Sequence, residues 1–482
     1  MSKKFYITTP IYYPNADLHM GHAYTTTLCD VLARYHRLIG DDTRLLSGTD
    51  DHAFKVAQAA KKLNENPKVY VRRQGEKFKN LYSKLGVELD DFIQTSDETR
   101  HWPGAKEIWR RLNEKGDLEK RSYKGLYCIG CEAFKKSEDL IIGKCPDHNT
   151  VPEELKEENW FFKLSNYADK LKEIIDKDEL KIRPESRKHE ILAFIGRGLD
   201  DISFSRPVRG TPWGIPVPGD GTQVMYVWCD ALTNYITALG FGTDNQADYE
   251  KFWPADVHMM GKDILRFHAA IWPAMLLSAK IPLPRSLFVH GFITSGGRKM
   301  SKSIGNVVDP LAIIDKYGVD ALRYFLLREI NPIEDGDFTM VRFRKAYNAH
   351  LANGLGNLVS RIMKMAETHL TETQGETLNK LQGLPLEPEF KNLMEKYEIQ
   401  KAMDHIWWYM GELDLEIQRT EPFKLVKTAP DEAKKLISGQ VIKLYTIARM
   451  LNPMLPATSE KIKDAVRVNK SFSMPLFPRL FA

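Results

Sequence analysis

Three short stretches of this 482-residue sequence bring together residue types that do chemistry. In "DLHMGHAYT", residues 17–25, His19 and His22 stand three apart around Gly21 where a helical pattern begins. Residues three apart on a first helical turn share a face. A helix N-terminus offers unsatisfied N–H groups and partial positive charge, so the pair could hold a phosphate and stabilise charge developing at phosphorus. Gly21 would let a flat ring or a phosphate approach the backbone, and a bound phosphate would favour protonated imidazole. Taken alone, HxGH fits equally two satisfied histidines beside a structural glycine.

The second stretch is "GGRKMSKS", 296–303, where Arg298, Lys299 and Lys302 follow two glycines. No GxxxxGK[ST] occurs in the chain, so this is not a P-loop. Gly296-Gly297 would act as a mobile tether, letting the cations close over the β- and γ-phosphates of a nucleotide and neutralise departing pyrophosphate. The third is "YCIGCEAF" with "GKCPDH": Cys128 and Cys131, then thirteen residues, then Cys145 and His148. Paired ligands two apart on tight turns fit one tetrahedral Zn²⁺, and four ligands leave no open position, so the site is expected to be structural.

The elements that must position these residues follow from periodicity. Residues 5–13 read as a buried strand ending at Pro14-Asn15. A helix over roughly 17–39 follows, with Asp17 as N-cap and Gly40 as stop. "DTRLLSGTDDH" reads as a second strand ending in an acidic turn, and strand, helix, strand at this spacing predicts a parallel sheet of the dinucleotide-fold type. From about 116 the texture changes to short strands, turns and cysteines. At "QVMYVWCDALTNYITAL" the strand-to-helix pattern returns, and beyond about 341 the signal is helix after helix. The expected class is α/β: a Rossmann-like parallel-sheet catalytic domain in two halves, 1–115 and 223–305, split by an insertion at 116–222 with the zinc knuckle (128–148). A linker region, 306–340, leads to an all-α helical bundle, 341–482.

Length predicts two to four folding units, and 43% hydrophobic with 28% charged residues is a soluble profile. No apolar run approaches the roughly 20 residues that span a bilayer, and no apolar signal region follows the first lysines, so a cytoplasmic, membrane-free protein is expected. Five cysteines, three of them within 18 residues, argue against a disulfide framework. The net charge of +5 resides in residues 341–482, which hold 21 Lys+Arg against 16 Asp+Glu. That excess fits a solvated helical surface or a face for a polyanion.

HxGH early and KMSKS late, flanking a split α/β fold, is the signature pair of class I aminoacyl-tRNA synthetases. The blocks "PIYYPNADLHMGHAYT", "GTDDH", "YVWCDALTNY", "GKDILRFHAAIWPAML", "HGFITSGGRKMSKSIGN" and "LANGLGNLVSR" resemble the methionyl-tRNA synthetase family, in its shorter form with one knuckle, and the resemblance covers nearly the whole chain. It implies activation of L-methionine with ATP to methionyl-adenylate and pyrophosphate. The 2′-hydroxyl of the 3′-terminal adenosine of tRNA(Met), initiator and elongator, then attacks the acyl carbonyl. Mg²⁺ is expected with ATP, held by phosphates and waters rather than by a protein triad.

The resemblance also assigns residues. Ile11, Tyr13, Trp228, Ala231, Tyr235, Ile264 and His268 match positions lining the methionine pocket, and a thioether gains from aromatic contacts. Asp50 matches the carboxylate that binds the substrate ammonium. His19, Gly21, His22, Gly261, Asp263 and Lys302 match ATP positions, with His19, His22, Lys299 and Lys302 in catalytic roles. Asn357 and Arg361, four apart on a predicted helix, match the anticodon readers. Phe423 stands where the family usually carries Trp, and still offers a stacking face. Two other readings remain: a catalytically silent tRNA-binding relative, and a small-molecule adenylyltransferase, whose chains are short and lack the helical appendage. The extra C-terminal module of longer relatives does not appear, so a monomer is expected.

Overall fold

The computed structural model describes residues 3–480 apart from 16–17, 129–132, 136, 147–148, 210–212, 301–305 and 371–384. Asp17, Cys131, His148 and Lys302 therefore lie outside the described residues, as does the side chain of Lys299. Two compact units are present: residues 1–18, 41–81 and 89–290 form the first, and residues 19–40, 82–88 and 291–482 the second.

The first unit is organised by a six-stranded sheet. In spatial order its strands are Asp91–Gln94, Asp42–Thr49, Lys4–Tyr12, Val257–Gly261, Ser286–His290 and Lys181–Arg183. Every neighbouring pair is parallel. The strand Lys4–Tyr12 is buried without interruption from Phe5 to Pro10, as expected of a central parallel strand covered on both faces. Its buried hydroxyls are paired: Thr9 Oγ1 donates to Ser47 Oγ at 2.7 Å, and Thr8 Oγ1 lies 2.8 Å from His258 Nδ1. Against its neighbour the register runs Thr8 to Leu46 and then Ile11 to Gly48. Three steps on one strand thus answer two on the other. This is a β-bulge, and it falls at Pro10, which has no N–H to give a ladder. The core beneath the sheet includes Tyr6, Leu46, Ile93, Ile108, Trp272 and Leu287.

Two expectations are corrected here. The strand Lys181–Arg183, inside the predicted insertion, pairs with Ser286–His290 at the edge of the parallel sheet. The strand Asp220–Met225, expected to resume that sheet, instead pairs antiparallel with Ser205–Pro207 and Pro216–Val217. The knuckle-bearing part is a four-stranded sheet built from Leu118–Cys128, Ala133–Lys135, Glu153–Phe162 and Ile202–Ser203.

The second unit holds the helix Met20–Leu38, a small sheet of Ile293–Ser295, Arg298–Lys299 and Gly336–Asp337, and a run of helices. Among these are Val319–Tyr324, Asn357–His369, Ile399–Thr420, Pro430–Leu451 and Pro456–Val468, with Leu355, Ile362, Met403, Leu444 and Ile462 fully buried. Among the described residues no helix is long and apolar enough to cross a membrane.

Candidate active site

In an open parallel sheet, ligands bind outside the carboxyl ends of the strands, where strand order reverses. Three adjacent strands of the first unit end with predicted site residues: Ile11 is the last residue but one of Lys4–Tyr12 and Tyr13 follows it, Asp50 follows Asp42–Thr49, and Gly261 ends Val257–Gly261. The central one of the three has its sequence neighbour on one side and a late strand on the other, which makes this the switch point. Asp50 is buried, and its backbone N–H donates to Tyr12 O at 3.0 Å. Asp263 is exposed on the 3₁₀ turn Lys262–Ile264.

Four of the predicted methionine residues, Tyr13, Trp228, Tyr235 and His268, form one cluster of rings. Tyr13 meets Trp228 edge-on, centroids 6.4 Å apart, and Trp228 meets His268 the same way at 6.4 Å. Trp228 and Ala231 share the helix Val227–Ala231, while Tyr235 sits on the next turn, Asn234–Thr237. His268 lies on a π-helical turn, Phe267–Ile271, with Ile264 just before it; such turns gather at functional sites. Its Nδ1 lies 2.9 Å from Ile264 O, a pure acceptor, so Nδ1 carries the proton. Nε2 is then the acceptor for the Tyr235 hydroxyl at 2.7 Å. Burial pushes the His268 imidazole down to about 4, only partly opposed by the bond to Ile264 O, so the ring is neutral at physiological pH. His258, tilted 4.2 Å from Tyr235, is also held well below the usual range by burial and by His268.

Sequence reasoning missed several neighbours. Phe267 stacks on Trp228 at 3.7 Å, and Lys55 Nζ sits 3.4 Å from the Tyr13 ring centroid. The acidic turn after Asp50 is also heavily anchored. Asp51 accepts from Ser96 Oγ at 2.5 Å and from Gln94 Nε2 at 3.3 Å, and Trp213 Nε1 donates to Asp51 O at 2.6 Å. Burial raises the Asp51 carboxyl, against the pull of Ser96, Thr49 and His52. The histidine in "GTDDH" was a visible signal for this turn.

In the second unit the helix begins at Met20, not at 17, and His19 caps it. Gly21 N donates to His19 Nδ1 at 3.1 Å, and His19 N donates to His22 Nδ1 at 3.2 Å. The imidazoles thereby form a reciprocal capping box. Both Nδ1 atoms accept, so each ring bears its proton on Nε2. The rings stack with centroids 3.9 Å apart. Burial and the neighbouring His19 hold His22 well below the usual imidazole range. As the capping box holds it, His22 is a neutral ring that offers Nε2–H as a donor. The space over Gly21 is taken by His19 itself, since a Cβ there would lie 2.9 Å from His19 Cε1.

This helix packs against the strand Ile293–Ser295, which hairpins into Arg298–Lys299. Gly296 and Gly297 have φ of 63° and 70° and form the two-residue turn between them, the left-handed geometry that glycine supplies. Asp337 Oδ1 accepts from Gly297 N at 2.8 Å. The glycine pair is thus a pinned tight turn, not an open tether.

Further along this unit, Asn357 is exposed at the start of its helix, and Arg361 pairs with Asp414 at 2.6 Å. Phe423 is 45% exposed on the short helix Pro422–Leu425, which follows Glu421 in the left-handed region. At the knuckle, Cys128 and Cys145 are both buried and converge on Thr150. Cys145 N donates to Thr150 O at 2.8 Å, and Cys128 Sγ lies 3.9 Å from Thr150 Oγ1. Among the described residues no three candidate ligands gather.

A family model described as tRNA synthetases class I (M) matches residues 5–154 and 148–363. The chain is 44% identical to a methionine–tRNA ligase of Clostridium acetobutylicum, covering 97% of this chain and 74% of the relative. It is 39% identical to that of Rickettsia bellii, covering 97% and 94%. A structure of Mycobacterium tuberculosis methionyl-tRNA synthetase in complex with methionyl-adenylate is 36% identical and superposes with a TM-score of 0.89, covering 96% of this chain and 93% of that one.

Proposed function

The chain belongs to the methionyl family of class I tRNA synthetases, and from that premise we propose how its residues carry out the two steps of methionine–tRNA ligation. In the first step the methionine carboxylate attacks the α-phosphorus of ATP and pyrophosphate leaves. In the second the acyl group passes to the terminal adenosine of tRNA. No side chain becomes covalently attached, so catalysis rests on positioning and on charge neutralisation.

Asp50, buried at a strand end, binds the methionine ammonium. Tyr13, Trp228, Tyr235 and His268, with Ile11, Ala231 and Ile264, surround the thioether. The neutral state of His268 matters here, because a buried cation would repel the ammonium and cost desolvation. His19 and His22 donate Nε2–H to the phosphates. Charge comes from Lys299 and Lys302 on the departing pyrophosphate and from the Mg²⁺ that enters with ATP. Gly261 and Asp263 receive the ribose. Asn357, Arg361 and Phe423 take the anticodon of tRNA(Met), for which Arg361 must exchange or share its Asp414 partner. Cys128, Cys131, Cys145 and His148 would hold one Zn²⁺, which supplies a cross-link for the knuckle and no reaction step. The proposed state is a cytoplasmic monomer; a sedimentation mass of two chains would refute it.

The observation that carries this reading is the aromatic cluster of Tyr13, Trp228, Tyr235 and His268, with Asp50 at the carboxyl end of the strand that pairs with the one leading into Tyr13. Exchange of pyrophosphate into ATP, assayed with each amino acid in turn, tests it. Methionine alone should support exchange. Exchange without an amino acid, or with a pantetheine phosphate as acceptor, rejects it, and a folded chain inactive with methionine points to the silent relative.

A further inference from the structure

Behind the aromatic cluster lies a chain of four buried polar side chains. Asp230 Oδ2 is 2.5 Å from His52 Nδ1, and Asp230 Oδ1 is 2.6 Å from His101 Nε2. The other nitrogen of His101, Nδ1, is 2.8 Å from Thr237 Oγ1. None of the four is more than 4% exposed. Burial alone would raise the Asp230 carboxyl, but the two histidines outweigh it and hold it below the usual carboxylate range. The carboxylate therefore accepts on both oxygens, and charge-assisted bonds of this kind are strong and directional.

Three of the four belong to different segments that carry proposed methionine contacts, and the fourth links two of them. His52 is two residues past Asp50. Asp230 stands between Trp228 and Ala231 on the helix Val227–Ala231. Thr237 ends the turn that carries Tyr235. His101, the residue that precedes the helix Trp102–Glu114, bonds to both of the last two segments. The His52 ring is seated between Trp213 at 5.1 Å and Trp102 at 6.1 Å, which restricts where its Nδ1 can go.

We propose that Asp230, clasped by His52 and His101, is a positioning residue for methionine recognition: it sets the Asp50 carboxylate at a fixed separation from Trp228, Ala231 and Tyr235. The proposal rests on the reading of Asp50 and the aromatic cluster as the methionine contacts. Asp230 need not touch the substrate. A displacement of about 1 Å between the ammonium contact and the thioether walls is enough to lose on the order of a hundredfold in productive binding. ATP recognition uses other residues and is untouched.

Substitutions separate this role from mere structural support. Asn in place of Asp230 offers one acceptor and one donor where two acceptors are required, so it satisfies one histidine and opposes the other. In methionine-dependent pyrophosphate exchange, Asp230→Asn should raise KM for methionine by about tenfold or more, with KM for ATP moving by less than about twofold. His52→Ala, which removes the donor, should do the same. His52→Asn places an amide N–H near the Nδ1 position and should restore KM for methionine to within about threefold of the wild-type value. A merely structural role lowers the fraction of active enzyme, and hence apparent kcat, without this selective change in KM. If Asp230→Asn and His52→Ala leave KM for methionine unchanged, or raise it together with KM for ATP, the proposal is overturned. Should Asp230→Asn fail to fold, the two His52 variants decide alone. Asp50→Asn keeps the two levels apart. If it leaves KM for methionine unchanged, the underlying reading fails; if it raises KM while the Asp230 and His52 variants do not, only the positioning role falls.

Discussion

The Arg323 guanidinium lies 2.8 Å from the Asp30 carboxylate, and neither side chain reaches solvent. Arg323 also donates to Met454 O at 2.7 Å, Pro453 O at 3.0 Å and Leu85 O at 3.2 Å. Asp30 accepts in addition from Arg34 Nε and from Glu88 N, both at 2.9 Å. One buried ion pair thus ties the helix led by the two histidines to the connection between the last two long helices.

Breaking such a pair on one side leaves a buried charge and orphaned carbonyls. Arg323→Met should destabilise the protein by about 3–5 kcal/mol in chemical denaturation. A loss under about 1 kcal/mol would mean that water or a rearranged Arg34 satisfies Asp30 instead.

His22→Ala should slow adenylate formation far more than it weakens ATP binding, since a neutral Nε2–H donor gains most when charge develops at phosphorus. Gly21→Ala should produce a similar defect by pushing the His19 ring off its cap, because the new Cβ would stand 2.9 Å from Cε1. Single-turnover kinetics alongside equilibrium ATP titration checks both. Equal losses in rate and affinity would reject the donor role.

The His268 imidazole protonates near 4 when folded and near 6.5 when unfolded. The unfolded chain therefore takes up the proton first as pH falls. The stability contributed by the neutral ring is complete above about 6.5 and is lost across the window down to about 4, on the order of 3 kcal/mol in all. His268→Gln should flatten the pH dependence of unfolding free energy in that window. An unchanged slope would show that His268 is not what titrates.

Phe423→Ala should weaken tRNA charging, with a penalty near the low end of the roughly 1–3 kcal/mol expected per stacked base, and leave methionine-dependent exchange intact. The ring's 45% exposure favours stacking over core packing. Collapse of both activities would identify a packing role.

Treating the protein with a strong chelator should release one zinc per chain and expose residues 128–148 to protease before the rest of the fold yields. Metal analysis and limited proteolysis give the readouts; a metal-free protein with an equally resistant knuckle would remove zinc from the proposal.

Much of this site was legible from local pattern. The strand ending at Tyr12 was visible because burial on both faces demands an unbroken apolar and β-branched run. The helix start was misplaced because acidic caps are common, whereas the true cap is the imidazole of His19. Lys181–Arg183 was invisible as a sheet member, since three residues carry no periodicity. The His52–Asp230–His101 cluster escaped for another reason: its partners are 129 and 178 positions apart, so no spacing rule connects them. Pairwise chemistry of that kind is written in the fold, not in any window of sequence.

The extra residue at Pro10 has a consequence for how this enzyme can vary. Side chains along a strand alternate strictly, so everything on one beat shares a fate. The insertion resets the count partway along: Phe5 to Thr8 keep the rhythm of the sheet interior, and Ile11 and Tyr12 start a fresh one. Substitutions at the Ile11 end can accumulate without transposing the packed end, and a deletion at this point would put the two out of step at once.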